Sequence, residues 1–182
     1  MEHEAKVYGR RSIRLKGYDY TQVGAYFVTI AVRGRLALFG EVVDGEVRLS
    51  GAGEMAREVW QAMPQRFPFV EMDAFVVMLD HVHGIVVIRG DGAGAPIGDA
   101  RVSGRAGAAP TARALGDVVG AYKSLTTAAY IRGVHDAGWP LFHGRLWQRN
   151  FYERVVRDEC ELNELRAYIR DNPLRWEQGG LV

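Results

Sequence analysis

The chain has 182 residues, of which 48% are hydrophobic, and its formal net charge at pH 7 is +1. This size and hydrophobic content are typical of one domain, here predicted to span residues 1–182, and the near-neutral charge excludes the strongly basic balance of many nucleic-acid-binding proteins. No run of about 18 apolar residues is present, the first residues lack a secretory signal, and the single cysteine excludes an internal disulfide and a thiolate zinc cluster, so we expect a cytoplasmic protein.

The N-terminal segment is locally basic although the whole chain is nearly neutral. Residues 1–16 carry five lysines and arginines against two glutamates, and three tyrosines lie among or just after them. Basic and aromatic side chains together suit single-stranded nucleic acid, because the charges attract phosphates and the rings stack on bases. A solvated terminal arm of about residues 1–20 is the alternative.

A strand and a hairpin are predicted next. Residues 25–32 are β-branched and aromatic and lie between two glycines, which is typical of a buried strand. Residues 36–43 and 46–49 predict the two arms of a hairpin, because Asp44 and Gly45 supply the positive φ angles of a tight two-residue turn.

A helix and two further strands follow. Ser50 is a typical N-cap residue, and apolar residues recur at helical spacing up to Met63, after which Pro64 and a second proline predict the helix end. Residues 69–79 and 82–89 predict two strands. Their connection is too short for a parallel crossover, so we expect antiparallel neighbours.

The second half of the chain begins with a glycine-rich segment. Residues 90–110 predict a flexible loop, and no Gly-Lys-Ser/Thr follows that would make it a P-loop. A helix is predicted from about residue 111 to 132, and residues 146–156 predict a last strand or an extended arm. Asp158 and Glu161 resemble a capping box for a final helix.

The final helix is predicted to run to about Asp171, where Asn172 and Pro173 would stop it. The order of elements is therefore strand, hairpin, helix, strand, strand, loop, helix, strand, helix. Two helices between antiparallel strands indicate an α+β fold of the ferredoxin-like, split βαβ type, with an antiparallel sheet and helices on one face.

His81 and His83 interrupt the most apolar stretch of the chain. In a strand, residues i and i+2 face the same way, so both imidazoles can point at one metal or one phosphate. The alternative is a pair of polar residues at the turn between two buried strands. The hydrolase patterns His-x-His-x-Asp-His and His-x-His-x-His both fail at Ile85, and a closed four-ligand zinc site lacks ligands nearby. What remains is a pair that would leave metal positions open for substrate oxygens.

The final predicted helix offers partners for this pair. Tyr168 and Asn172 are four residues apart and share a helical face, so a phenol and an amide can approach the same point. Tyr168 is alternatively an aromatic residue at the edge of the core-facing stripe. Asn172 is alternatively a helix C-cap before Pro173.

Four motifs together resemble the HUH single-tyrosine transposases, specifically the branch associated with repetitive extragenic palindromes (REP). They occur in the family's order between roughly Arg10 and Trp176. The motifs are His81-Val82-His83 after an apolar strand, Tyr122-Lys123-Ser124 on a helix, Leu146-Trp147-Gln148-Arg149-Asn150-Phe151-Tyr152-Glu153, and Tyr168-Ile169-Arg170-Asp171-Asn172-Pro173.

The resemblance implies a metal-dependent DNA transposase that cuts single strands and rejoins them. By it, His81 and His83 are metal ligands, Tyr168 is the nucleophile, and Asn172 occupies the position of a helix-borne third ligand. The implied cofactor is Mg²⁺ or Mn²⁺, and the implied intermediate is a 5′-phosphotyrosine that a free 3′-hydroxyl later reverses. Because a phenol is a weak nucleophile at neutral pH, the metal would polarise the scissile phosphate.

The resemblance also implies single-stranded or hairpin DNA as the partner, with the protein on the nucleoid when bound. We expect Arg10, Arg11 and Arg14 to grip a hairpin backbone and Lys123 to meet the phosphate at the cut. Further arginines are expected to flank the nucleophile, namely Arg145, Arg149, Arg154, Arg166 and Arg170. Relatives are often dimeric, and some exchange the tyrosine helix between subunits. The sequence leaves a homodimer open.

One position departs from the family pattern. Many relatives carry Asn or Glu before the first histidine, whereas this chain has Asp80, which either orients an imidazole or ends the strand. Two other functions fit the same residues. One is a metal-dependent phosphodiesterase in which water attacks, and the other is a DNA-binding regulator without catalysis.

Overall fold

The computed structural model describes residues 22–90 and 115–179. The basic arm with Arg10, Arg11 and Arg14, and nearly all of the glycine-rich loop, lie outside the described residues. The elements are β1 (Gly24–Ala31), β2 (Gly40–Val43), β3 (Glu46–Leu49), α1 (Gly51–Arg66), β4 (Val70–Val77), β5 (His81–Ile88), α2 (Leu115–Ala137), β6 (Tyr152–Val156) and α3 (Glu159–Glu177), with a short 3₁₀ turn (Arg33–Arg35) after β1.

The main sheet has four strands in the order β4-β5-β1-β6, and every neighbouring pair is antiparallel. With α1 between β1 and β4 and α2 between β5 and β6, this is the split βαβ arrangement, so the predicted α+β fold is confirmed. β2 and β3 form the predicted hairpin as a separate two-stranded sheet. Asp44 and Gly45 have φ angles of 54° and 74°, as its tight turn requires.

Helices cover both faces of the main sheet. One core contains Tyr26 and Val28 of β1 together with buried residues of α1 and α2. The other contains Phe27 and Ile85 together with Leu162, Leu165 and Ile169 of α3. The predicted placement of the helices on one face holds for α1 and α2 and is wrong for α3. The physical reason lies in β5, which is buried at every position and therefore needs cover on both sides.

Both predicted N-caps are confirmed, and both helix ends predicted from proline are wrong. The side chains of Ser50 and Asp158 accept hydrogen bonds from backbone N–H groups three residues later. However, α1 continues through Pro64 to Arg66, and α3 continues through Pro173 to Glu177. A proline removes one backbone hydrogen bond, and packing of the surrounding turns outweighs that loss.

Other element boundaries shift by a few residues. α2 continues to Ala137, beyond the predicted end at residue 132, and its predicted start lies outside the described residues. The last strand is confined to Tyr152–Val156, while Trp147 forms an isolated bridge with Val32. None of the described helices combines the length and apolar character needed to cross a bilayer.

Candidate active site

The two imidazoles project from β5 toward α3. His81 is the first residue of β5, directly after the turn, and His83 is the third, and they share a face with Ile85 and Val87, which pack against α3. Both side chains are buried, with 0% and 3% of the residue surface exposed. Their Nε2 atoms are 3.0 Å apart. The sequence interpretation of two imidazoles facing one point is therefore the arrangement observed.

Each imidazole is oriented by a hydrogen bond at its Nδ1 atom. His81 Nδ1 lies 2.6 Å from Asp80 Oδ1, and His83 Nδ1 lies 2.8 Å from the hydroxyl of Thr29. Thr29 is directly opposite His83 in the β1–β5 register. Hydrogen bonds at Nδ1 orient each ring and leave Nε2 to face a ligand, as in the outer shells of metal sites.

Asp80 lies in the short turn between β4 and β5, and its carboxylate has two partners. Oδ1 accepts from His81, while Oδ2 lies 2.9 Å from Arg35 Nε. The structure therefore resolves the two interpretations of Asp80, because its side chain orients an imidazole. Burial above all, and then the charges of His81 and Arg35, lower the pKa of His83 to about 3. His83 is thus neutral near pH 7, the form in which an imidazole binds a metal.

Tyr168 packs directly on His83. Its ring centroid is 5.4 Å from that of His83 and 5.9 Å from that of Phe27. The guanidinium carbon of Arg175 lies 5.4 Å from the Tyr168 ring centroid. Tyr168 therefore lies at the edge of the α3 core and beside the imidazoles at once.

Asn172 is the most unusual polar residue of α3. It is fully buried, and neither atom of its amide has a hydrogen-bond partner among the described residues. It lies one turn after Tyr168 and one turn before Trp176, whose ring centroid is 5.9 Å from that of His81. Since Tyr168 and Trp176 both contact the imidazoles, Asn172 faces the pair from the same side of the helix. It is not the predicted C-cap.

The donor set fits a divalent cation. Two imidazole nitrogens and a buried amide without a partner can all act as ligands, and an unsatisfied buried amide calls for a missing partner. Within residues 22–90 and 115–179, no three His, Cys, Asp or Glu side chains form a metal-binding cluster. A cation at this point would therefore complete its coordination with the amide and with water or substrate oxygens.

A cleft of about 420 Å³ opens beside His83 and Tyr168. This volume falls in the range of small-molecule sites. Its walls combine aromatic rings with one cation, and the lining residues are Phe27, Thr29, His83, Tyr152, Arg154, Leu165 and Tyr168.

Of the basic residues expected to contact DNA, Arg154 lines the cleft, where it also pairs with Glu161. Lys123 lies elsewhere. Its Nζ donates to the backbone carbonyls of residues 148–150 at 3.0–3.4 Å, and burial lowers its pKa to about 8. It thereby ties α2 to the segment that precedes β6.

The remaining predicted arginines do not line the cleft. Arg145 and Arg149 are exposed in the segment before β6. Arg170 is exposed and pairs with Asp171, whereas Arg166 pairs with Asp73 of β4.

Among the residues that touch the predicted site and that sequence reasoning missed are Thr29, Trp176 and Arg35. Thr29 would have followed from the pairing register of β1 with β5. Trp176 would have followed from extending the Tyr168 face by two turns, which the expected helix end at Pro173 prevented. No sequence pattern predicts the role of Arg35, because its contact with Asp80 joins two turns that are far apart in the chain.

Comparisons with known proteins agree with this architecture. No protein-family model matches the chain. An uncharacterized protein of Haemophilus influenzae is 33% identical over 186 residues, which cover 99% of this chain and 97% of the relative. A solved structure of a REP-associated tyrosine transposase bound to a REP hairpin matches with a TM-score of 0.54 at 21% identity, over 87% of this chain and 71% of that one. The chain therefore belongs to the same family as the Haemophilus influenzae protein and has the fold of a REP-associated tyrosine transposase.

Proposed function

We propose that the protein is a metal-dependent enzyme that cuts and rejoins single-stranded DNA through a phosphotyrosine at Tyr168. The observation that carries this proposal is the convergence of three groups on one face of the sheet. The Nε2 atoms of His81 and His83 are 3.0 Å apart, and the Tyr168 ring packs on His83 at 5.4 Å. The hairpin bound to the transposase of the same fold supports hairpin DNA as the substrate.

His81, His83 and Asn172 would hold Mg²⁺ or Mn²⁺, which when bound would act as a Lewis acid toward the scissile phosphate. The chain's own groups supply orientation and binding. Asp80 and Thr29 fix the two rings, as their hydrogen bonds indicate. The aromatic wall of the cleft suits stacking of an unpaired base, and Arg154 suits a phosphate.

The reaction balances without an external energy source. The Tyr168 oxygen attacks phosphorus, a P–O bond to tyrosine forms, and the P–O3′ bond breaks. The phenol proton passes to water in the open cleft, and the departing 3′ oxygen takes up a proton. In the reverse direction a free 3′-hydroxyl attacks the phosphotyrosine and releases Tyr168, so rejoining the strand needs no ATP.

A covalent adduct tests the proposal. The protein is incubated with Mn²⁺ and labelled hairpin oligonucleotides whose single-stranded flanks are randomised, and products are separated under denaturing conditions. We expect a labelled protein band that Tyr168→Phe abolishes, and peptide mapping should place the nucleotide on Tyr168 and not on Tyr152.

The other functions predict different results. Cleavage that persists in Tyr168→Phe would instead indicate attack by water. Hairpin binding without cleavage, unchanged in His81→Ala, would indicate a regulator.

A further inference from the structure

We infer that Arg35 is a positioning residue that sets the orientation and proton position of His81 through the carboxylate of Asp80. This inference rests on the proposed function, because it assigns Arg35 to the site that His81 and His83 form. Arg35 lies at the end of the 3₁₀ turn after β1, outside the sequence motifs that carry the family resemblance.

The contact runs through one carboxylate with two partners. Arg35 Nε lies 2.9 Å from Asp80 Oδ2, and His81 Nδ1 lies 2.6 Å from Asp80 Oδ1. The Asp80 side chain is only 6% exposed and that of His81 is 0% exposed, so water competes little for either group. A carboxylate held at both oxygens cannot rotate, whereas one held only by the imidazole can turn toward solvent.

The backbone at Arg35 has an uncommon conformation, and hydrogen bonds tie it to Asp80. Arg35 has a φ angle of 57°, which is uncommon for a residue with a side chain. Its N–H donates to Val32 O, and the Val32 N–H donates to Asp80 O, so the turn is tied to the same residue that the guanidinium reaches. The Arg35 side chain is 41% exposed, so packing does not explain why it is held there. Residues in sparsely populated conformations cluster at functional sites.

The consequence for His81 is a defined tautomer. With the ring proton on Nδ1 and donated to Asp80, Nε2 carries a lone pair directed at the point it shares with His83. Without the guanidinium, Asp80 could turn away and the ring proton could move to Nε2. There it would donate to His83 Nε2 and occupy the position meant for a ligand.

The test compares Arg35→Asn with a matched control, Arg33→Gln. Asparagine tolerates the left-handed backbone but is too short to reach Asp80. Arg33 is exposed in the same turn, and its side chain forms no ion pair with the described residues. Nitrogen-15 NMR of the imidazoles reads the tautomer, and calorimetric titration with Mn²⁺ reads metal affinity. Neither measurement uses catalytic turnover or DNA.

We expect His81 to carry its proton on Nδ1 in the wild type and in Arg33→Gln, and to lose this single tautomer in Arg35→Asn. Mn²⁺ affinity should fall about 10- to 100-fold in Arg35→Asn, the effect typical of losing an outer-shell partner. Arg35→Lys should restore part of both signals, because it returns the charge without the planar guanidinium. Arg35→Lys also keeps the inference testable if Arg35→Asn fails to fold.

An unchanged His81 tautomer together with Mn²⁺ affinity equal to the control would overturn the inference, even if DNA binding weakened. Weaker DNA binding beside that result would instead indicate a direct contact between Arg35 and DNA. A different measurement tests the proposed function, so the two failures can be distinguished. The tautomer measurement needs neither metal nor DNA, whereas a wild type that forms no adduct at Tyr168 would count against the proposed reaction.

Discussion

Thr29 and His83 face each other across β1 and β5, and the Thr29 hydroxyl lies 2.8 Å from His83 Nδ1. This cross-strand contact fixes the second imidazole as Asp80 fixes the first. The two rings are thus oriented by the sheet and its turn, and α3 brings Tyr168 and Asn172 to them. The proposed metal ligands, the proposed nucleophile and the stability of α3 can therefore be tested by different substitutions.

Replacing Asn172 by Leu should stabilise the fold and weaken metal binding. A buried amide without a partner costs about 1–3 kcal/mol, and leucine fills a similar volume without that cost. We expect urea unfolding to show a gain of about 1 kcal/mol in the free energy of unfolding. Mn²⁺ affinity should fall at least about tenfold. Asn163→Leu, at an exposed position of α3, is the control. A loss of stability in Asn172→Leu would mean that the amide already has a structural partner.

The ion pair between Asp73 and Arg166 should make the anchoring of α3 depend on pH. Arg166 Nε and Nη2 lie 3.0 and 2.6 Å from the two Asp73 oxygens, and this hydrogen bonding lowers the Asp73 pKa below its usual 3.8. Because the folded carboxyl binds a proton less readily than the unfolded one, the stabilisation is complete above the unfolded pKa. It is lost as the pH falls through the folded value.

The measurement is urea unfolding of wild type and Asp73→Asn at several pH values. The wild type should be more stable by about 1 kcal/mol at neutral pH, a modest figure because the Arg166 side chain is 38% exposed. The difference should shrink toward zero in acid. Asp171→Asn removes an exposed partner of Arg170 and should show little effect. A difference that does not vary with pH would indicate packing and not charge.

Mixing two inactive variants should not restore adduct formation. Tyr168 packs on His83 of the same chain, and α3 is held to its own sheet by Leu162, Leu165 and Ile169. Because the imidazole and the phenol of the proposed site come from the same chain, we expect His83→Ala and Tyr168→Phe each to lack a group that the other cannot supply. The mixture is assayed with the labelled hairpin pool, with wild type as the positive control. Recovery of the adduct would show that α3 is exchanged between subunits.

Replacing Gly84 by Ala should destabilise the sheet next to His83. A methyl group at Gly84 would overlap the Trp60 ring, which stacks on Phe75 with a centroid distance of 4.4 Å. Overpacking of this kind costs about 1–3 kcal/mol, measurable by urea unfolding. Gly120, in the middle of α2, has open space at this position, and alanine there should instead stabilise by about 0.5–1 kcal/mol. Equal stability of Gly84→Ala and wild type would show that Trp60 can move away freely.

Local sequence patterns predicted the features that depend on neighbouring residues. The Asp44-Gly45 turn and the N-caps at Ser50 and Asp158 follow from the chemistry of a few consecutive residues. The shared direction of His81 and His83 follows from strand geometry alone. Fold class followed from the order of these elements.

Features that depend on distant contacts could not be predicted in the same way. Asp73 and Arg166 are 93 positions apart, and Asp73 lies where the β4–β5 register shifts. Pro173 marks a helix end in isolation, yet α3 continues to Glu177 and brings Trp176 to His81. The apolar run of β5 on both of its faces was a sequence feature that pointed to a helix on the second face.

The two halves of the proposed site should differ in rigidity, because the imidazoles lie on a strand inside the sheet and Tyr168 lies on a helix packed against it. β5 is bonded to β1 on one edge and β4 on the other, whereas α3 contacts the sheet through one face. Strands paired on both edges open to solvent most rarely, and His83 is paired with both β1 and β4, so its amide should exchange hydrogen among the slowest in the chain. Detachment of α3 would leave the β5 ladder intact. If the proposed reaction is correct, a movement of α3 that carries Tyr168 and its attached DNA end would leave the geometry of the imidazoles unchanged.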